Sequence, residues 1–224
     1  MKLKYILCIL TAGITAALCS CGQKDVEGGE LIKSAREKYT ELSSAKVTMT
    51  NEETGEIEQT FTFKYDEKDV LMFSYYGKGT DTEYAQYNNG VECFTYDNGE
   101  YSEAVKGDDE FVKYTKAATH PQADEGLLIY EPSCITQAEV TEENGVTHIS
   151  HEYDVEKINA EAENGEVIGF TADYYFDADQ ELLYFVETTY TDEDGEEKTY
   201  AYRVDITEKN SVDKIENTTE QFRE

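Results

Sequence analysis

The chain lacks an apolar run long enough to cross a membrane. The run at its start, from Tyr5 to Leu18, has 14 residues, whereas a transmembrane helix needs about 20, so a permanent membrane span is not expected. Basic residues are also scarce, with 19 against 49 acidic ones. The resulting net charge of −30 disfavours nucleic acid as a partner and argues against direct adsorption to anionic lipid heads.

Cysteine is scarce in the part of the chain that would fold. Cys8 and Cys19 lie in the N-terminal segment and Cys21 closes it, which leaves Cys93 and Cys134. Two cysteines are not a disulfide framework in a domain of this size. They either form one bridge in an oxidising exterior or stay free as buried thiols that pack like small hydrophobes.

The sequence has no nucleophile, base or metal ligands at a spacing that would form a catalytic or metal site. No glycine-rich phosphate loop or nucleophile elbow occurs. His148 and His151 come nearest to a metal pair, but residues three apart on a strand point to opposite faces. Asp192, Asp194 and Glu196 alternate without the full spacing of a calcium loop, which favours a solvated hairpin tip. We therefore expect no enzyme activity, no metal and no cofactor.

The N-terminus has the layout of an export signal, with Lys2 and Lys4 before the apolar run and small residues after it. The exit Leu18-Cys19-Ser20-Cys21 resembles the lipobox of bacterial lipoproteins. The resemblance implies cleavage between Ser20 and Cys21 and linkage of the Cys21 thiol to diacylglycerol. An ordinary secretory signal that happens to contain cysteines is the alternative. Long acyl chains would hold the protein on the extracytoplasmic face of the cell membrane.

The predicted signal and the pattern of the remaining chain divide the sequence into four segments. Residues 1–20 are the predicted lipoprotein signal peptide, 21–29 a flexible tether from the lipidated cysteine, 30–206 one folded domain, and 207–224 a polar, loose C-terminal tail. The signal carries two basic residues and no acidic one, so the mature chain of 204 residues has a net charge of −32. Its acidic residues alternate with aromatic and β-branched ones, which indicates the solvated surface of a folded domain. We expect a monomer.

An amphipathic helix opens the domain between Glu30 and Ser43, because apolar residues recur there at helical spacing. They are Leu31, Ile32, Ala35, Tyr39 and Leu42. Beyond it the period changes to two, which predicts strands. The predicted strands are 47–50, 57–65, 70–76, 84–87, 91–96, 136–141, 146–153, 167–176, 182–190 and 199–206. A short helix after Asp108 and an apolar turn at 127–130 separate the two sets.

This order predicts an α+β fold with a single antiparallel, strongly curved sheet, a half-barrel, packed on the N-terminal helix and the short central helices. It resembles the LolA/LppX-like family of bacterial cell-envelope lipoproteins. The resemblance is architectural and covers most of residues 30–206. It is carried by the helix running directly into Ser43-Ser44-Ala45-Lys46-Val47, by the meander through Tyr87-Asn88-Asn89-Gly90-Val91, and by the paired strands around Asp177-Ala178-Asp179.

In that family a half-barrel wraps helices around an apolar cavity that holds acyl chains. The resemblance therefore implies a membrane-anchored, non-enzymatic lipoprotein that binds a lipid or acyl chain. The soluble carriers of the family have no anchor, so its anchored members are the closer analogy. The candidate ligand-binding residues are Tyr39, Leu42, Phe61, Phe63, Phe73, Phe170 and Phe185. The alternative for each is an ordinary core aromatic or aliphatic residue.

A second hypothesis is an acidic, tyrosine-rich module that binds a protein or glycan partner, because tyrosine suits surfaces of mixed polarity. Its contact residues would include Tyr174, Tyr175, Tyr200 and Tyr202. In both hypotheses the helix needs a partner for its apolar stripe. We expect that stripe to pack on the strands that carry Phe61, Phe63 and Phe73.

Overall fold

The computed structural model of the chain describes residues 26–68, 70–79, 82–112, 128–158, 160, 162 and 165–223. The predicted signal peptide and Cys21 lie outside the described residues. The chain divides into two compact units. The first contains Met1–Thr40, Asn51–Gly55 and Glu125–Asp205, and the second contains Glu41–Thr50, Glu56–Asp124 and Ile206–Glu224.

The described strands form one open antiparallel sheet of eleven. They are β1 (Ser44–Asn51), β2 (Ile57–Tyr65), β3 (Leu71–Lys78), β4 (Glu83–Asn88), β5 (Glu92–Asp97), β6 (Glu100–Val105), β7 (Ile135–Glu143), β8 (Val146–Tyr153), β9 (Glu166–Phe176), β10 (Leu182–Glu193) and β11 (Glu196–Thr207). Their order is β6-β5-β4-β3-β2-β1-β11-β10-β9-β8-β7, so β6 and β7 are the edges. The predicted α+β class with a single antiparallel sheet is confirmed.

Helices are few and short in the described chain. Helix α1 spans Gly29–Thr40, α2 spans Val155–Ile158, and a 3-10 helix spans Glu220–Phe222. Helix α1 ends three residues earlier than predicted, because the backbone N–H and the hydroxyl of Ser43 both donate to Asn210 Oδ1, at 2.8 and 3.0 Å. Residues 109–112 are helical as expected, and residues 128–130, where an apolar turn is predicted, begin with a bend.

In the second unit, one sheet face carries an aromatic core. Phe63 of β2 pairs in register with Ala45 of β1 and with Phe73 of β3. The ring centroids of Phe61 and Phe73 lie 6.1 Å apart, and all these side chains are buried. The core continues to the buried cluster of Cys93, Ala104 and Phe111. Cys93 and Cys134 are both free thiols, but only Cys93 is buried as the second alternative expected, and Cys134 is half-buried.

The C-terminal residues pack on the opposite face of that unit. Ser74 lies between two core-facing neighbours on β3, and its hydroxyl oxygen is 3.0 Å from Thr218 Oγ1. Phe222 stacks on Tyr96 with ring centroids 3.8 Å apart. Three residues of this segment are buried, namely Val212, Ile215 and Thr219. The looseness predicted for the tail is therefore wrong, although its composition is polar as expected.

A candidate ligand-binding strip on the first unit

Strands β7 to β11 of the first unit have a covered face and an open face. Side chains alternate along each strand, so the covered face carries Phe185 of β10, its partner Tyr174 of β9 and Ile149 of β8. These three side chains are at most 1 % exposed. The open face carries Tyr175 and Tyr184, which lie one residue out of phase.

The start of α1 and the segment before it lie over the β8 part of the covered face. The Glu27 carbonyl oxygen accepts a hydrogen bond from His151 Nε2 at 3.0 Å. Gly28 has φ +75°, and a Cβ built on it would lie 2.7 Å from the Ile149 side chain. Only glycine fits there, because it tolerates both the left-handed conformation and the close approach.

A second segment, residues 128–130, lies on the β8–β9 part of the same face. The hydroxyls of Tyr153 and Tyr174 both donate to the Ile129 carbonyl, the first at 3.2 Å. Burial raises the pKa of both tyrosines above the usual value, so both hydroxyls stay protonated donors. Because this carbonyl bonds to side chains, residues 128–130 satisfy a backbone acceptor without forming a helix.

The β10–β11 part of the covered face keeps accessible surface. Its members lie beside fully buried aromatic residues and are themselves only half-buried. We call this set the β10–β11 strip, and it consists of Glu187, Thr189, Tyr200 and Tyr202. Register places Glu187 between Tyr202 and Ala172, and Thr189 between Tyr200 and Phe170. The strip therefore combines an apolar border with a few polar groups, which is the usual lining of a small-molecule site.

Glu187 is the unusual member of the strip. Burial raises the pKa of its carboxyl from 4.5 to about 7, although its side chain remains half-accessible. Burial alone causes this shift, with no charge or hydrogen bond contributing to it. Among the described residues, no hydrogen bond or ion pair reaches this carboxylate. Such a strongly perturbed group is a candidate for function.

His151 lies in the same cross-strand row as Glu187, beyond Ala172. Its ring is fully buried, and desolvation lowers its pKa. Since a carbonyl only accepts, the Nε2–H must donate to Glu27, which leaves Nδ1 as the unprotonated nitrogen. Nδ1 has no hydrogen-bond partner among the described residues. His151 therefore fixes the segment before α1 as a neutral donor.

The seven predicted ligand-binding residues are divided between the two units, and each is at most 8 % exposed. Tyr39, Phe170 and Phe185 belong to the first unit. Leu42, Phe61, Phe63 and Phe73 belong to the second, and the three phenylalanines lie in the aromatic core described above. Phe170 and Phe185 border the β10–β11 strip, whereas the ligand role of all seven stays a prediction.

Sequence reasoning missed Glu187. A glutamate normally lies on the solvated surface. Because the chain has so many acidic residues, nothing distinguished Glu187 from the others in the sequence. The alternation of side chains along β10 could have identified it. Glu187 is two residues from Phe185, so both side chains lie on the same face of the sheet.

The open face carries a cross-strand stack of four side chains. The His148 and Tyr175 ring centroids lie 4.6 Å apart, and those of Tyr175 and Tyr184 lie 4.5 Å apart. The Arg203 guanidinium lies 3.8 Å from the Tyr184 centroid. His148 also donates to Asp173 at 2.8 Å. His148 and His151 thus point to opposite faces of β8, as predicted from their spacing.

The second unit contains a cavity of about 390 Å³ beneath the C-terminal residues. Tyr87 and Phe94 form an aromatic wall with ring centroids 6.2 Å apart, and Arg223 forms an ion pair with Glu103 at 3.7 Å. The remaining lining is mostly polar or charged, including Asn89, Glu92, Lys214, Glu216, Asn217 and Glu220. None of the seven predicted residues lines this cavity, and its polarity suits a polar ligand better than an acyl chain.

The described residues contain no group of three or more histidine, cysteine or acidic side chains placed to hold a metal ion. No helix in this part of the chain is long and apolar enough to cross a membrane.

Comparison with known proteins gives a distant similarity of fold. No protein-family model matches the chain, and no curated protein matches it at a significant level. Among the solved structures that match is LprF from Mycobacterium bovis, at 12 % identity, covering 88 % of this chain and 99 % of that chain with a TM-score of 0.45. A similarity at this distance assigns neither a family nor a function to the chain.

Proposed function

We propose that this chain is a non-enzymatic lipoprotein, anchored to the extracytoplasmic face of the membrane through Cys21, that binds a hydrophobic ligand along the β10–β11 strip. The observation that carries the proposal is the half-accessible strip itself, beside Phe185, Tyr174 and Ala172, which are buried on the same face. Phe170 and Phe185 provide apolar surface at its border, and Glu187 and Thr189 provide polar groups, while the Tyr200 hydroxyl donates to Glu193 at 2.6 Å. Apolar surface with few polar groups is suited to an amphiphile.

The ligand is tested on protein purified from its native envelope. Denaturing extraction followed by mass spectrometry should release a lipid or acyl compound in a fixed ratio to protein. Adding the released compound to stripped protein should raise the thermal midpoint, because a ligand that binds only the folded state stabilises it. Protein that is always empty, and that no lipid stabilises, would contradict the proposal.

The anchor is tested separately with Cys21→Ala. The variant should lose its acyl chains and move from the membrane fraction to the soluble fraction, since the net charge disfavours direct binding to anionic lipid. Cys134→Ala is a matched control that should leave the distribution unchanged. A Cys21→Ala protein that stays on the membrane after a salt wash would refute anchoring at this residue.

The second candidate function is a surface module for a glycan or protein partner, and the polar cavity of the second unit favours it. Its lining mixes carboxylates, amides and cations beside an aromatic wall, which suits a neutral, hydroxyl-rich ligand. Tyr87→Ala should then abolish binding in a glycan array without unfolding the protein, because Tyr87 is only half-buried. An array in which wild type binds no glycan would leave the hydrophobic ligand as the supported function.

A further inference from the structure

The polar cavity of the second unit has a lining that specifies the chemistry of its ligand. Resting on the second candidate function, we infer that this cavity binds a neutral sugar residue, and that Asn217 and the pair of Asn89 and Glu92 make the polar contacts that select it. All the described residues that line the cavity belong to the second unit. Its volume of about 390 Å³ is in the usual range for a small-molecule site.

Asn217 is held from behind by a buried threonine. Its Oδ1 accepts hydrogen bonds from the Thr219 backbone N–H at 3.0 Å and from the Thr219 hydroxyl at 2.7 Å, and Thr219 is fully buried. A backbone N–H can only donate, so the Asn217 oxygen must face Thr219 and the Asn217 Nδ2 must face away from it. No described residue accepts a hydrogen bond from this Nδ2. Asn217 therefore presents oriented N–H donors at the cavity wall.

Asn89 is held in the same way in the turn between β4 and β5. Its Oδ1 accepts from the backbone N–H groups of Val91 and Glu92 at 2.9 and 2.7 Å, which again fixes the side-chain amide. Its Nδ2 donates to Glu92 Oε2 at 3.1 Å. This bond positions the Glu92 carboxylate, whose second oxygen is an acceptor for a ligand. The cavity thus offers both donors and acceptors in fixed positions.

Hydroxyl groups match this arrangement, because a hydroxyl both donates and accepts. A sugar can accept from Asn217 Nδ2 with one hydroxyl and donate to Glu92 with another. The C–H face of its ring can pack on the aromatic wall of Tyr87 and Phe94. Because the protein's own hydrogen bonds already hold both amides, little entropy is lost when they bind a ligand.

The charges of the lining disfavour an acidic sugar. Among the described lining residues are four glutamates and two cations, namely Glu92, Glu103, Glu216, Glu220, Lys214 and Arg223. Each cation already lies beside a glutamate: Lys214 Nζ is 3.4 Å from Glu216 Oε1, and Arg223 Nη2 is 3.7 Å from Glu103 Oε2. Carboxylates are therefore in excess, and a sugar acid or a sulfated sugar would be repelled. An ammonium group would satisfy the carboxylates but has no acceptor for the amide donors.

The experiment measures binding of the full chain to an array of neutral oligosaccharides with matched sialylated, sulfated and amine-bearing derivatives, and titrates the glycans that bind. About 0.5 M salt screens attraction to the acidic surface. Wild type should bind a neutral glycan about tenfold or more tightly than its charged derivatives. Asn217→Asp keeps the oxygen that Thr219 requires and removes the Nδ2 donor, so it should lose about tenfold or more of that affinity.

Asn210→Asp is the matched control. Asn210 Oδ1 likewise accepts from a backbone N–H and a hydroxyl, those of Ser43, but Asn210 does not line the cavity. This variant should bind as wild type does. Glu92→Gln, at an exposed position, tests the charge separately and should narrow the preference against the acidic derivatives.

Each outcome decides a different point. If wild type binds no glycan, the second candidate function and this inference both fail, whereas the hydrophobic ligand keeps its own test. If a charged derivative binds as tightly as its neutral parent, a glycan site stands and the neutral specificity is refuted. If Asn217→Asp loses no affinity, or if Asn210→Asp loses as much, the role of Asn217 is refuted. An unchanged preference in Glu92→Gln would refute the role of the Glu92 charge.

Discussion

The Arg203 guanidinium lies over the Tyr184 ring, 3.8 Å from its centroid, and Asp205 holds it there. Arg203 Nε and Nη2 donate to the two Asp205 oxygens at 2.9 and 2.7 Å. This bidentate pair fixes the plane of the guanidinium so that it closes the aromatic stack of His148, Tyr175 and Tyr184. The arrangement adds side-chain contacts between strands β8, β9, β10 and β11, which are already paired in the sheet.

Arg203→Lys should therefore destabilise the protein although it keeps the charge. Lysine cannot reproduce the bidentate geometry or stack flat on a ring, and the expected loss is about 0.5–1 kcal/mol, the range for a cation–π contact at an accessible site. Urea unfolding measures it. Lys198→Arg, at an exposed pair with Glu196, is the control and should change nothing. Equal midpoints for all three proteins would show that the stack contributes nothing.

Helix α1 offers a second test at two adjacent residues. Ile32 is fully buried and Leu31 is not. Ile32→Ala should cost about 2–5 kcal/mol, the range for truncating a packed aliphatic side chain. Leu31→Ala should lower the free energy of unfolding clearly less, because part of the Leu31 side chain is already exposed to water. Similar small losses at both positions in urea unfolding would mean that the helix is not docked through Ile32.

The strands were predictable because their turns have a defined chemistry. β8 was predicted at both ends, since Asn144 and Gly145 adopt positive φ angles of 52° and 78° in the hairpin that precedes it. The packing of the C-terminal residues was not predictable, because Val212 and Ile215 are isolated apolar residues without a period. Glu187 was missed for a related reason. From composition alone every carboxylate is expected to be solvated, and only the strand pairing shows which carboxylates are buried.

Gly90 provides a third prediction. It has φ +84°, and an added Cβ would lie 2.8 Å from Val70 Cγ1. Gly90→Ala should therefore carry both a backbone penalty of about 1–2 kcal/mol and a steric one. Gly55, at φ +71° with nothing within 4 Å of an added Cβ, isolates the backbone part. Thermal unfolding should rank wild type above Gly55→Ala and Gly55→Ala above Gly90→Ala. The reverse order of the two variants would contradict the close approach at Val70.

The last prediction concerns stability against pH. Burial raises the pKa of Glu187 from 4.5 to about 7, so between these values the folded state holds a proton that the unfolded chain has released. Its contribution is complete below pH 4.5 and is lost as the pH rises through about 7. Desolvation lowers the pKa of His151 from 6.5, and its contribution has the opposite sign: it is present above pH 6.5 and is lost as the pH falls.

Glu187→Gln removes the first titration and leaves the second. The variant should match wild type below pH 4.5, gain stability relative to it as the pH rises, and reach its largest advantage above about pH 7. The measurement is the urea midpoint of both proteins across this range without ligand, with Glu152→Gln as the exposed control. An advantage that is the same at every pH would mean that Glu187 ionises in the folded protein as it does in water.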